Sequence, residues 1–115
     1  MREKIKDPLR IAHMVEACNN ILTFMKDKTL IDLKSNSLLF FGVVKNIEII
    51  GEASYKISKE FKENHPEIPW KIITGMRHVL VHDYYHINPE RVFNTYKQDI
   101  PELLVKLVEI QSREN

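Results

Sequence analysis

Phe40-Phe41-Gly42-Val43-Val44-Lys45-Asn46-Ile47-Glu48-Ile49-Ile50 is the stretch on which the fold turns. Phe40, Val43, Val44, Ile47 and Ile50 recur at three- and four-residue spacing, and Ile57 and Phe61 prolong the stripe. That period belongs to a helix with one buried face, and it predicts a helix over 36–63. Upstream, Asp7-Pro8 has the form of an N-cap followed by proline at the first helical position. Ile11, Met14, Val15, Cys18, Ile21, Leu22 and Met25 then give a first helix over 8–26, and Asp27 to Ser35 reads as a connection with room for one short turn. Downstream, Asn64-His65-Pro66 stops the long helix. Ile68-Pro69 opens a third helix, with Ile72, Ile73, Met76, Val79, Leu80 and Tyr84 on one face, ending near Tyr85. Asn88-Pro89 repeats the cap-plus-proline signal, and Asp99 to Pro101 interrupts the tail, so 89–97 and 100–112 form two successive helices or one kinked one. No strand pattern competes, and the expected fold is all-α, a four- to five-helix up-and-down bundle.

Composition sets the bounds on function. A chain of 115 residues with 43% hydrophobic content suits a single domain over 1–115. A net charge of +1 supplies no general basic field, so any nucleic-acid site must be local. No apolar run approaches the roughly 20 residues of a membrane span, and no signal-like block follows Met1, which predicts a cytoplasmic protein with no membrane partner. Cys18 is the only cysteine; it falls among apolar residues and reads as a small buried hydrophobe in a reducing compartment. Gly42, Gly51 and Gly75 lie inside predicted helices, where each costs roughly 1 kcal/mol relative to alanine. Close backbone approach would offset that cost, either between helices of the bundle or across a subunit interface along the second and third helices.

The third helix closes on Gly75-Met76-Arg77-His78-Val79-Leu80-Val81-His82-Asp83-Tyr84-Tyr85-His86, a density of titratable groups unusual for a structural helix. Helix geometry puts Arg77 and Tyr84 nearly over one another, with His82 about 140° around from Arg77 and about 7.5 Å along the axis. Arginine beside histidine suits phosphodiester cleavage without metal: the guanidinium binds phosphate oxygens and imidazole exchanges a proton near neutral pH. With RNA the ribose 2′-OH supplies the nucleophile.

The spacing arginine, four residues, histidine, any residue, tyrosine, here Arg77, His82 and Tyr84, resembles the signature of the HepT-like proteins of the HEPN superfamily. Ile49-Ile50-Gly51-Glu52-Ala53, Pro66-Glu67-Ile68-Pro69-Trp70 and Leu80-Val81-His82-Asp83-Tyr84 carry the resemblance across most of the chain. It implies a homodimeric helical-bundle ribonuclease, the toxin of a toxin-antitoxin pair, whose two motifs meet in a cleft. Arg77 and His82 would be catalytic. The partner would be a small nucleotidyltransferase antitoxin that transfers AMP to Tyr84, placing a bulky anion where an RNA phosphate belongs. No cofactor is implied. The same motif would also serve a non-catalytic dimeric subunit that binds a nucleotidyltransferase.

His78 stands where the family commonly has asparagine, and with His82 and His86 it makes a four-spaced histidine series open to a metal reading, although no clear carboxylate or cysteine companion accompanies it. His78, Asp83, Tyr85 and Glu52 are auxiliary candidates. Tyr85 suits stacking on an unpaired base, or packing against the next loop. Glu48 and Glu52 read as a solvated face, unless the second helix crosses the third near the motif, where Glu52 would orient His82 or pair with Arg77. Trp70 is expected to cover the core where the third helix begins.

Overall fold

A computed structural model describes residues 2–82 and 87–114, with side chains from 6 to 76 and from 87 to 113. The described chain is all-α: α1 (Arg2–Phe24), α2 (Leu30–Ser35), α3 (Ser37–Lys56), α4 (Lys59–Asn64), α5 (Trp70–His82), α6 (Pro89–Asn94), a π-helical segment (Thr95–Asp99) and α7 (Ile100–Glu114). None of the described helices is long and apolar enough to cross a membrane.

Four long helices make the bundle. α1 packs on α3 and α7, and α3 also packs on α5. The expected stripes supply the core: Ile11, Met14, Cys18 and Ile21 from α1, Val43, Ile47 and Ile50 from α3, Ile73 from α5, and Ile100, Leu107 and Ile110 from α7. Cross-helix contacts fix the directions. The Asn20 side-chain amide donates to Asn46 Oδ1 at 3.1 Å, and Phe24 lies over Gly42, while at the far end Asp7 meets Ser58, so α1 and α3 run antiparallel. Phe61 and Trp70 pack edge to face at 6.4 Å and Arg113 bonds Glu67 at 2.8 Å, which places the start of α5 with α4 and the end of α7. The four helices therefore alternate up and down, as expected. At the opposite end, Lys34 pairs with Glu90 at 3.2 Å and ties α2 to α6.

Several boundaries differ from the sequence reading. α1 begins at Arg2, not at residue 8, and Pro8 lies inside it. In the seventh helical position proline removes one intrahelical donor. Asp7 does not cap its own helix. It is 1% exposed and accepts from Ser58 N–H at 3.0 Å and Ser58 Oγ–H at 2.6 Å. That second role breaks the long helix expected over 36–63. Taking the Ser58 N–H out of the helical ladder lets Ile57 turn extended (φ −69°, ψ 142°), and Ser58 Oγ restarts the chain as α4 by accepting from Phe61 N–H at 3.2 Å.

The expected connection 27–35 holds the short α2, opened by a reciprocal Thr29–Asp32 capping box at its N-terminus. Asn88 caps α6 with Pro89 just inside, as the sequence signals. The break at Asp99–Pro101 is a widened turn in a continuous helical path. Pro101 has no N–H to offer, and the ladder is carried past it by the Ile100 N–H bonding the Thr95 carbonyl five residues back.

Candidate functional site

α5 starts beneath Trp70, whose indole N–H donates to the His65 carbonyl at 2.9 Å and whose ring covers the edge of the core, as anticipated. Ile73 is buried, whereas Ile72, expected on the same apolar face, is 59% exposed. From this anchored start the helix runs toward the end of the bundle that holds α2 and α6, and Arg77 through His82 make its last two turns. Helix register sets the backbone positions of Gly75 and His82 within about 20° of one another, and those of Arg77 and His82 about 140° apart. The side chains of Arg77, His78 and His82 are outside the described set, and Asp83, Tyr84, Tyr85 and His86 lie outside the described residues altogether.

α5 packs along α3, the condition under which Glu52 would matter to the motif. Because the two helices run in opposite directions, Arg77–His82 lies toward the N-terminal end of α3, with Glu48 and Lys45 near its middle, Phe41 toward its start and Glu52 in its C-terminal half. Glu52 is half-buried and engaged with a partner rather than a free carboxylate. Glu48 faces the Lys45 ammonium at 3.9 Å. Phe41 escaped notice in the sequence because it falls off the apolar stripe, and that displacement is itself the signal: it is 47% exposed, on the outer side of α3.

The glycines divide. A Cβ on Gly42 would touch the Phe24 ring at 3.5 Å, so Gly42 marks the α1–α3 contact. A Cβ on Gly75 would meet nothing within 4 Å, so no contact inside the described chain accounts for glycine there. Cys18 is buried in the core and its thiol is pushed up to about 12 by burial, as befits a small hydrophobe. Between α5 and α7 runs a groove of about 60 Å³ lined by Ile72, Met76, Asp99, Glu102, Leu103 and Lys106. Burial and the neighbouring Glu102 raise the Asp99 carboxyl above its ordinary range. Among the described residues no group of three or more His, Cys, Asp or Glu is gathered as a metal site requires, and the series His78, His82, His86 falls beyond the described side chains.

The model of the HepT-like ribonuclease family matches residues 14–110, a span that includes the whole of α5 and the positions from Arg77 to Tyr84. The chain is 35% identical to a protein of Thermococcus cleftensis named probable ribonuclease HepT, over 96% of this chain and 99% of that one. It is also 35% identical to an RNase-named protein of Caldanaerobacter subterraneus, over 90% and 93% of the two chains. A third relative, an RNase-named protein of Methanocaldococcus jannaschii, is 36% identical over 78% of this chain and 74% of its own. No solved structure gives a significant match.

Proposed function

The chain belongs to the HepT-like ribonuclease family, and from that premise we propose that it is an RNA endonuclease acting through Arg77 and His82. The family match, whose span of residues 14–110 takes in 77–84, supports the reading. Arg77 holds two non-bridging oxygens of the scissile phosphate and stabilises the charge that develops on them. The 2′-oxygen of the preceding ribose attacks phosphorus, its proton passes to a base, and the 5′-oxygen departs with a proton from an acid. His82 fills one of these proton-transfer roles, its imidazole being ionisable near neutral pH. Two copies pair so that a motif from each shares one cleft, and the open face of α5 at Gly75 suits a partner's close approach.

In this reading the protein is the toxin of a pair. A nucleotidyltransferase antitoxin silences it by transferring AMP to Tyr84, and the added phosphate and adenosine exclude RNA by charge and by volume. Cleavage is tested with His82→Ala and Arg77→Ala, each expected to abolish RNA cutting and growth arrest while circular dichroism and molecular mass stay unchanged. A wild-type dimer that cuts no RNA defeats the nuclease reading and leaves a non-catalytic binding subunit. Silencing is tested by the intact mass of the chain expressed alone and with its nucleotidyltransferase, then by peptide mapping of residues 71–91. AMP on Tyr84 only in the co-expressed sample supports modification. A stable complex without added mass replaces it by occlusion.

A further inference from the structure

The outer face of α3 at the motif end of the bundle carries an arrangement that the catalytic residues do not account for. Leu38 is 85% exposed, Phe41 47% and Phe24 40%. Leu38 and Phe41, three residues apart, share a face of α3, and the Phe24 ring lies over Gly42, one turn after Leu38. Exposed apolar patches of this kind mark surfaces suited to a ligand or partner. Phe41 is held firmly, because its ring meets Phe40 edge to face at 5.3 Å and Phe40 is packed against the core. Lys45 follows Phe41 by one helical turn on the same face, its side chain 70% exposed and its ammonium only loosely engaged by Glu48 at 3.9 Å. Lys26 and Lys28 leave the end of α1 at this same end of the molecule, and both are exposed.

Single-stranded RNA asks for this combination. Every base offers a π face to an aromatic ring, and every phosphate one nucleotide along offers a charge to a nearby lysine. With a near-neutral chain, affinity for RNA must come from a few such local contacts rather than from the whole surface. The shelf also lies at the end of the bundle toward which the motif runs, since α5 packs on α3 in the opposite direction and α2, which leads into α3, packs on α6. We propose that Phe41 and Lys45 form a nucleotide subsite beside the cleavage motif: a base of the substrate strand stacks on Phe41 and the adjoining phosphate is met by Lys45. The proposal rests on the nuclease reading and adds to it the positioning residues that seat the strand.

The test is fluorescence anisotropy of the whole chain with a fluorescein-labelled dodecamer of adenosine. Phe41→Ala is expected to weaken binding about tenfold and Phe41→Tyr to restore it. Lys45→Ala is expected to weaken binding and to take about 0.7 from the slope of log affinity against log salt, the signature of one lost phosphate contact. Phe41→Leu keeps the apolar packing on Phe40 and removes the π face, so it reads stacking even if the alanine variant folds poorly. On a cleaved RNA the same variants raise KM and leave kcat near wild type. Unchanged affinity in both Phe41→Leu and Lys45→Ala, with wild-type protein still binding and cutting RNA, overturns the subsite and leaves the nuclease intact. A wild-type chain that neither binds nor cuts RNA overturns the nuclease itself. If Phe41→Leu or Lys45→Ala instead lowers the molecular mass in solution, the shelf is a contact between copies and the subsite falls.

Discussion

Ser54 is 0% exposed on the inner face of α3, and its hydroxyl has no hydrogen-bond partner among the described residues. A buried hydroxyl that has given up water without replacement costs free energy in the folded state. Ser54→Ala removes the unsatisfied group and leaves only a small gap. The variant is expected to be more stable by about 1 kcal/mol, seen as a higher urea midpoint at unchanged slope. A lower midpoint would mean that the hydroxyl is satisfied in solution. Cys18 argues similarly from burial. With its thiol pushed up to about 12, the reactive thiolate is a tiny fraction of the population at pH 8. Labelling by a thiol reagent such as DTNB should then proceed at the rate of unfolding and be abolished by Cys18→Ala. Fast labelling of native protein would contradict the burial. Both residues lie on apolar stripes; the sequence marks Cys18 as interior through its neighbours, whereas nothing in it reveals whether the Ser54 hydroxyl finds a partner.

The joint between α3 and α4 is held by a residue 51 positions away in sequence. Asp7 binds Ser58 through both carboxylate oxygens while Ser58 Oγ caps α4, so one serine serves two elements. Asp7→Ala should cost about 1.5–3 kcal/mol, the range for a hydrogen bond to a charged acceptor. Ser58→Ala should cost a comparable amount through the lost cap and a buried carboxylate left short of one donor. Because the two share one contact, the double variant should fall short of the sum by about 1 kcal/mol in a chemical-denaturation cycle. Strict additivity would separate the cap from the Asp7 bond. This joint also shows where local reading stops. Asn88-Pro89 was legible as a helix start because its signal is contained in adjacent residues. Asp7-Pro8 carries the same signal and was misread, because its carboxylate is claimed by a partner that no local pattern can announce. The apolar stripe of α3 likewise ran on through Ile57, which stays buried after the helix has broken, so periodicity alone could not find the end.

At the scale of the molecule, the alternation of four apolar faces was legible, since each long helix has one stripe to bury and short connections favour antiparallel neighbours. Which ends meet was not. The helix that carries Arg77 and His82 is legible from Pro69 and its apolar face, while its packing against α3, on which any role of Glu52 depends, is seen only in the fold. The opposite end of the bundle is closed by a polar clasp that joins the start of α5 to the last turn of α7. Arg113 bonds Glu67 at 2.8 Å, and His65 Nδ1 stands 3.6 Å from the same carboxylate. Backbone hydrogen bonding at Glu67, aided by Arg113 and His65, holds its carboxyl below the usual range. A carboxyl depressed in the folded state favours folding above its unfolded pKa, and that contribution is lost as pH falls through the folded value. The clasp is well exposed, so its worth is small, about 0.5 kcal/mol at neutral pH. Glu67→Gln is therefore expected to melt about 2 °C lower than wild type at pH 7. The gap should close as both chains are titrated down through the ordinary carboxylate range and below it, where the wild-type carboxyl also becomes neutral. Added salt should narrow it at pH 7. Thermal melts of the two proteins across that range decide the matter: a gap that stays constant into acid would show that Glu67 contributes through its shape and backbone turn, and that the closing of the bundle end owes nothing to charge.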